Sequence, residues 1–530
     1  MGSADPVGWT SLGDVLREHR RSRGSMTALV DGKVRLDYVT LDDRVTQWAN
    51  VLSERGVGAG ERVLWIGQNS FRLLETLLAC AKLGALLVPV NWRQSAAELA
   101  AVIDDVNAAV VLWQKRDIGE LVERAHALAT TDAEWIQHDS VAADGYEAVL
   151  ATGSTVDAEK PIDPDLSVLG IYTAAFGGRP HAAALSHRAT LIEGLVIARI
   201  AEISDETVFL NSGPLFHLGT LMTTLATFLL GGTNVVVART EAEEMCEVID
   251  REKCNRAFIM APTVEAMREA NQNGRWDLRS LWPDPDPATW TMCTPSANPT
   301  SGRAGGYGQS EVTGLITSYG LGSKADSIYG RTTPLGQVRI VDAAGVEVPT
   351  GETGEIICRG PVVMNGYLNR DELNAERRLN GWHRTGDLGR REKDGSITFV
   401  GPMMKMIKSA SENIYPIEVE RCLGAHPAVS DVVVLGVPDQ RWTQSVKAVV
   451  VTVPGTTVTG EELIEYCREH IASYKKPRFV TFATALPKTK TGQVDRDAVD
   501  REYGGGGYPG QVSSGRRDVP VGPATGAVAR

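Results

Sequence analysis

From Leu36 to Val90 short apolar runs alternate with stretches of helical spacing, and Arg62-Val-Leu-Trp-Ile and Ala85-Leu-Leu-Val-Pro-Val carry almost no polar residue. Runs of this length between helical patterns predict strands of βα units. The alternation returns at Ala108-Ala-Val-Val-Leu-Trp, Thr233-Asn-Val-Val-Val-Ala and Arg256-Ala-Phe-Ile-Met, so an α/β architecture is expected. Near Gly330 the texture changes. Gly336-Gln-Val-Arg-Ile-Val-Asp, Gly354-Glu-Ile-Ile-Cys-Arg-Gly and Ser396-Ile-Thr-Phe-Val-Gly read as short strands parted by Gly-rich turns, which predicts a β subdomain from about 330. A small α+β unit follows. The expected division is a large N-terminal domain 1–402, a connector 403–406, a C-terminal α+β domain 407–503 and a disordered tail 504–530 rich in Gly, Pro, Ser and Arg.

A chain of 530 residues exceeds what one hydrophobic core holds, in keeping with several units. Hydrophobic content of 43% beside 23% charged residues excludes overall disorder. The net charge of -12 argues against nucleic acid as a partner, because its backbone requires clustered Lys and Arg. Seven cysteines stand apart without a CxxC pair, so neither a zinc site nor a disulfide framework is predicted, and a reducing cytoplasm is the expected setting. Met1 to Leu12 has no basic segment leading into an apolar run, and no stretch reaches the roughly 18 apolar residues of a membrane span. The pattern leaves oligomeric state open.

Candidate chemistry gathers in glycine-rich segments. Tyr172-Thr-Ala-Ala-Phe-Gly-Gly-Arg-Pro-His-Ala-Ala-Ala-Leu-Ser-His reads as a small-residue loop between a strand and a helix, where backbone N–H groups can meet an anion. Gly306-Tyr-Gly-Gln-Ser-Glu-Val-Thr-Gly sets an aromatic ring, a hydroxyl and a carboxylate in one glycine-rich turn, and Arg384-Thr-Gly-Asp-Leu-Gly sets an acid in another. Gly351-Glu-Thr-Gly-Glu-Ile, Ser411-Glu-Asn-Ile-Tyr-Pro-Ile-Glu-Val-Glu and Leu486-Pro-Lys-Thr-Lys-Thr-Gly-Gln-Val-Asp-Arg complete the series. Taken together, over roughly residues 30–500, these motifs resemble the adenylate-forming (ANL) superfamily of acyl-CoA synthetases, peptide-synthetase adenylation domains and beetle luciferases.

The resemblance implies a large N-terminal domain, a hinge at Met404 and a small mobile C-terminal domain that rotates between an adenylation pose and a thioester-forming pose. It implies an acid–thiol ligase with acyl-AMP and CoA as substrates and no tightly bound cofactor. By position, Tyr307 and Gly308 would border the adenine, Ser310 would contact the AMP phosphate, Glu311 would hold Mg2+ and Asp387 would bind the ribose hydroxyls. His217 falls where the family borders the acyl carboxylate and is the catalytic candidate, with a satisfied core histidine as the competing reading. Phe216, Gly219, Thr220 and Thr223 would line the acyl pocket, and Ser409, Ala410 and Ser411 the CoA tunnel. Glu412 and Glu418 read as helix-capping or solvated surface residues.

The departures from the family pattern are selective. Its phosphate loop reads Tyr-Thr-Ser-Gly-Thr-Thr-Gly-x-Pro-Lys-Gly, and here Ala174, Ala175, Phe176 and His181 replace hydroxyl, glycine and lysine positions. The family's catalytic lysine, which follows the glycine of the Leu486 motif, is Gln493. One preorganised donor of that kind is worth about 2.7–4 kcal/mol. Groups serving pyrophosphate and carboxylate activation are missing, whereas Tyr307, Ser310 and Asp387 remain. Three readings stay open: a non-adenylating ligase taking a preformed acyl-AMP from a separate synthetase, a complete ATP-dependent acyl-CoA synthetase, and a catalytically dead protein that binds an acyl-adenylate or a partner. The selectivity favours the first. The same losses resemble the non-adenylating acyl-CoA ligases of platensimycin and platencin antibiotic biosynthesis, which implies a bulky terpenoid acid as acyl group.

Overall fold

The computed structural model describes residues 6–173, 180–290, 305–321, 325–409, 412–489 and 494–509. Its largest sheet has seven strands in the order Gly366–Tyr367, Ala182–Ser186, Ser167–Tyr172, Leu86–Pro89, Arg62–Ile66, Val110–Trp113 and Glu134–Gln137. From Ser167–Tyr172 to Glu134–Gln137 the pairing is parallel. The reason is visible in the burial: Val63, Trp65 and Leu87 pack into one core, while their neighbours Leu64, Ile66 and Val88 pack into another across the sheet. A second sheet orders Arg256–Ala257, Val208–Asn211, Thr233–Val236, Thr27–Asp31 and Val34–Asp37.

Downstream, the strands Gln337–Val341, Thr353–Arg359, Trp382–Arg391 and Ile397–Pro402 form an antiparallel unit, as the texture after Gly330 predicts. The C-terminal domain pairs Val429–Asp439 with Thr443–Thr452 around a core that includes Val434, Ala448, Leu463 and Cys467. The hairpin Ile407–Ser409 and Glu412–Ile414 lies at the edge of that sheet. The large N-terminal region with a small C-terminal domain is thus the architecture expected from the sequence.

Four expectations need correction. The loop after Tyr172 joins two antiparallel strands rather than a strand and a helix, because Ala182–Ser186 pairs back on Ser167–Tyr172 before the helix His187–Ile200 begins. A helix N-terminus therefore does not directly follow this loop. Asp387 does not sit in a turn but within the ten-residue strand Trp382–Arg391, where Gly386 has φ +72 and an irregularity lies at Leu388/Gly389. The Gly306 segment is likewise a strand, Gly306–Gln309, paired with Gly314–Ser318. Disorder does not begin at Gly504: Tyr508 is 5% exposed, and its hydroxyl accepts from Gly436 N at 2.9 Å and donates to Asp500 at 2.8 Å. The aromatic ring offsets the low apolar content around it.

Among the described residues no helix is long and apolar enough to cross a membrane. The six described cysteines are free and buried.

Candidate active site

A cleft of about 980 Å³ opens between the two domains. Its N-terminal wall is built on the strand pair Gly306–Gln309 and Gly314–Ser318. Gly308 is obligatory there, since a Cβ would stand 1.7 Å from Gly314 O. This close approach turns Tyr307, Gln309, Ser310 and Glu311 along one side of the cleft.

Tyr307 is 4% exposed and stacks on Phe399 with centroids 5.2 Å apart, and its hydroxyl donates to Asp387 Oδ2 at 2.8 Å. Gln309 Nε2 donates to the same oxygen at 3.2 Å. Burial raises the Asp387 pKa above its ordinary value, against the pull of these two donors. Arg384 is held by Glu355 at 2.6 Å, and Gly386 N donates to Glu355 at 3.2 Å, which fixes the strand on either side of Thr385. Residues distant in sequence thus meet in one hydrogen-bonded cluster: Tyr307, Gln309 and Asp387.

Glu311 lines the cleft but is 5% exposed and accepts from Tyr367 Oη at 2.8 Å. Burial raises its pKa. Magnesium is commonly held by one or two carboxylates completed by substrate phosphates and water. A carboxylate this buried and already engaged by the Tyr367 phenol does not fit that task.

His217 is no core residue. Its side chain is 44% exposed in the cleft, and Nε2 lies 3.7 Å from Glu412 Oε1 of the C-terminal domain. Phe216 joins it there, with ring centroids 4.7 Å apart. Gly219, Thr220 and Thr223, expected in the acyl pocket, do not line the cleft: they sit on the helix Leu218–Leu230, where Thr220 Oγ1 turns back onto Pro214 O and Thr223 Oγ1 onto Thr220 O at 2.7 Å.

Where the resemblance expects the phosphate loop, Thr173 and Pro180 line the cleft, but His181 does not. Its Nδ1 accepts from Arg370 Nε at 3.2 Å, and Arg370 Nη2 is itself 2.7 Å from Asp105. Burial, then the Arg370 charge, lowers the His181 pKa. An Nδ1 that accepts is unprotonated, so this ring carries no charge in the geometry seen. Ala174, Phe176, Ala410, Ser411 and Gln493 lie outside the described residues. Ser409 pairs with Glu412 in the hairpin, and Met404 lies between Pro402 and Ile407, 49% exposed at the cleft.

The C-terminal wall contains residues that the sequence reading missed or misassigned. Glu412 and Glu418, expected as capping or solvated residues, are largely buried at the domain seam and line the cleft with Lys408, Tyr415, Tyr474 and Lys475. Burial alone would raise the Glu412 pKa, but His217, Arg93 and Lys408 outweigh it and the value falls. None of these charges has a local pattern that differs from a solvated face. The turn bracketed by Lys488 and Val494, by contrast, contributes no described residue to the cleft.

A model of the AMP-binding enzyme family matches residues 16–368, and one of the AMP-binding enzyme C-terminal domain matches 418–493. The chain is 32% identical to a feruloyl-CoA synthase of Amycolatopsis over 92% of its own length and 98% of that protein. It is 31% identical to an indoleacetate–CoA ligase of Aromatoleum aromaticum, over 92% and 97%. Among solved structures, the amide bond synthetase McbA from Marinactinospora thermotolerans superposes with TM-score 0.76 at 22% identity, covering 93% of this chain and all of that one. A double mutant of o-succinylbenzoate CoA synthetase from Bacillus subtilis gives 0.75 at 22%, covering 92% and 98%.

Proposed function

The chain belongs to the AMP-binding enzyme family, as an enzyme of the acyl-CoA synthetase and ligase type, and from that premise we propose that it forms thioesters from a preformed acyl-adenylate and CoA without adenylating the acid itself. The observation that carries this reading is His181: it stands where the resemblance expects the phosphate-loop lysine, and it accepts a hydrogen bond from Arg370 in uncharged form. Gln493 removes the second expected cation. The groups for the AMP half are kept and coupled through Asp387.

In the step that remains, the CoA sulfur attacks the acyl carbonyl carbon, a C–S bond forms, the C–O bond to phosphate breaks and AMP leaves. A thiol of pKa about 8.5 needs only modest help in such an attack. His217 borders the carbonyl and takes the thiol proton, and Glu412 at 3.7 Å faces the imidazolium that results. Asp387 Oδ2 is occupied by Tyr307 and Gln309, so Oδ1 serves the ribose hydroxyls. Met404 is the hinge of the domain rotation. A separate adenylating synthetase supplies the acyl-AMP.

The acyl group we assign to bulky hydrophobic acids of the terpenoid kind, on the pattern of motif losses. The names of the relatives point to aryl acids and set the contrast. Purified protein is mixed with CoA and synthetic diterpenoid, feruloyl, indoleacetyl or fatty acyl-AMP, without ATP, and acyl-CoA is followed by mass spectrometry. Parallel reactions hold the free acids, ATP and Mg2+. Product from adenylates alone is the expected result. Product from acid and ATP at a similar rate restores the complete synthetase, and no product from any adenylate leaves a binding protein.

A further inference from the structure

Lys475 is 4% exposed, and its two carboxylate partners belong to different domains. Glu418, at 3.2 Å, lies on the helix Pro416–Gly424 of the same domain. Glu98, at 2.9 Å, lies on the helix Ala96–Val106 of the N-terminal domain. We propose that the Glu98–Lys475 pair is a positioning latch that holds the small domain with its Ile407–Ile414 hairpin against the cleft, in the pose for thiol transfer; this rests on the function proposed above.

The geometry separates what rotation would break from what it would keep. Lys475 and Glu418 move together, so their contact survives any rotation of the domain. Glu98 stays behind. Its other oxygen, Oε2, accepts from Ser95 N at 3.0 Å, and Ser95 Oγ donates across the seam to His470 O at 2.8 Å. A capping box therefore fixes the Glu98 carboxylate before the small domain arrives, and little side-chain freedom is lost on closing. Nearby on the same seam Glu412 stands 3.7 Å from both His217 and Arg93. Rotation exposes these groups together. The cluster Glu98–Lys475–Glu418 holds two carboxylates for one ammonium, and burial would lower the Lys475 pKa but the two acids carry it above its ordinary value. Lys475 therefore stays charged, and an unbroken Glu418 partner makes release of Glu98 far cheaper than stripping a buried ion of every partner.

Glu98→Gln is the diagnostic variant. Its side-chain oxygen still caps Ser95 N, and Lys475 keeps Glu418, so both domains fold as before. Reporter labels at exposed Val141 and Thr457 read the distance between domains, because the six described native cysteines are buried. In E98Q a second distance population is expected, with kcat for thioester formation about fivefold lower and KM for acyl-AMP unchanged. Melting temperature serves as the folding control. The distance measurement decides the latch alone: an E98Q distribution identical to wild type overturns it, with or without a fall in kcat. Failure of wild type to make thioester from any adenylate instead refutes the proposed function, while the distances still report on the latch.

Discussion

The two ends of the cleft are built from opposite principles. At the AMP end, Tyr307, Gln309 and Asp387 come from two strands and converge on a single carboxylate oxygen. At the phosphate end, the side chain expected to carry charge is an imidazole that accepts from Arg370, and Arg370 is already paired with Asp105 at 2.7 Å. One end is a network of partly buried donors and acceptors gathered on Asp387. At the other, His181 accepts from Arg370 and offers no cation. On the function proposed above, such a cleft keeps its grip on one half of an anhydride while lacking the means to make it. The two half-reactions call on different residues, so one can lapse without the other.

The sharpest way to break that contrast is to restore a cation. Gln493→Lys returns the single donor whose loss is worth about 2.7–4 kcal/mol, a factor of about 10² to 10³ in rate. Acid-dependent exchange of pyrophosphate into ATP should rise by up to that factor over wild type, with thioester formation from acyl-AMP unchanged. If exchange stays at background even when His181→Lys is added, the phosphate end is unfit for reasons beyond missing charge.

A smaller effect sharpens the other side. Asp387→Ala removes a charged acceptor, and hydrogen bonds to charged groups contribute about 1.5–3 kcal/mol each. Acyl-AMP should bind about 10- to 100-fold more weakly, as read by calorimetry with a non-hydrolysable adenylate. Tyr307→Phe should cost far less, because Gln309 still holds Oδ2. The double variant should lose less than the sum, as residues in one network do. Equal and additive losses would mean that Asp387 and Tyr307 meet the ligand separately.

Much of the fold was legible because burial leaves a mark on local sequence. Leu64, Ile66 and Val88 face one core and Val63, Trp65 and Leu87 the other, so their strands read as continuous apolar runs. Gly386 and Gly389 flank Asp387 and predict a turn, yet these glycines relieve a bent strand: Gly386 sits at φ +72, and a Cβ on Gly389 would meet Ile356 at 2.7 Å. The domain seam left no such mark. Glu98, Glu412, Glu418 and Lys475 have the spacing of solvated helix faces and edges, yet they meet partners at the seam between the domains. Motif order located Tyr307 and Asp387, 80 residues apart, but not the hydrogen bond that joins them.

The AMP wall rests on one more buried acid, and its titration gives the smallest test of the contrast. Glu193, on the helix His187–Ile200, accepts from Leu315 N at 2.8 Å behind the strand that pairs with Gly306–Gln309. Burial pushes its pKa from the ordinary 4.5 up to about 8, against that one hydrogen bond. The folded state therefore binds the proton more tightly than the unfolded state. Between about pH 4.5 and 8 the unfolded chain has fewer protons bound at this group, so its contribution to stability falls as pH rises and levels off above 8. Glu193→Gln keeps the acceptor for Leu315 N and does not ionise. The melting temperature of the variant relative to wild type should rise by a few °C between pH 5 and pH 8.5. All other groups titrate alike in both proteins and cancel in the difference. Parallel melting curves across that range would show that Glu193 is ionised in the folded protein, and that the wall behind Tyr307 is wetter than its burial indicates.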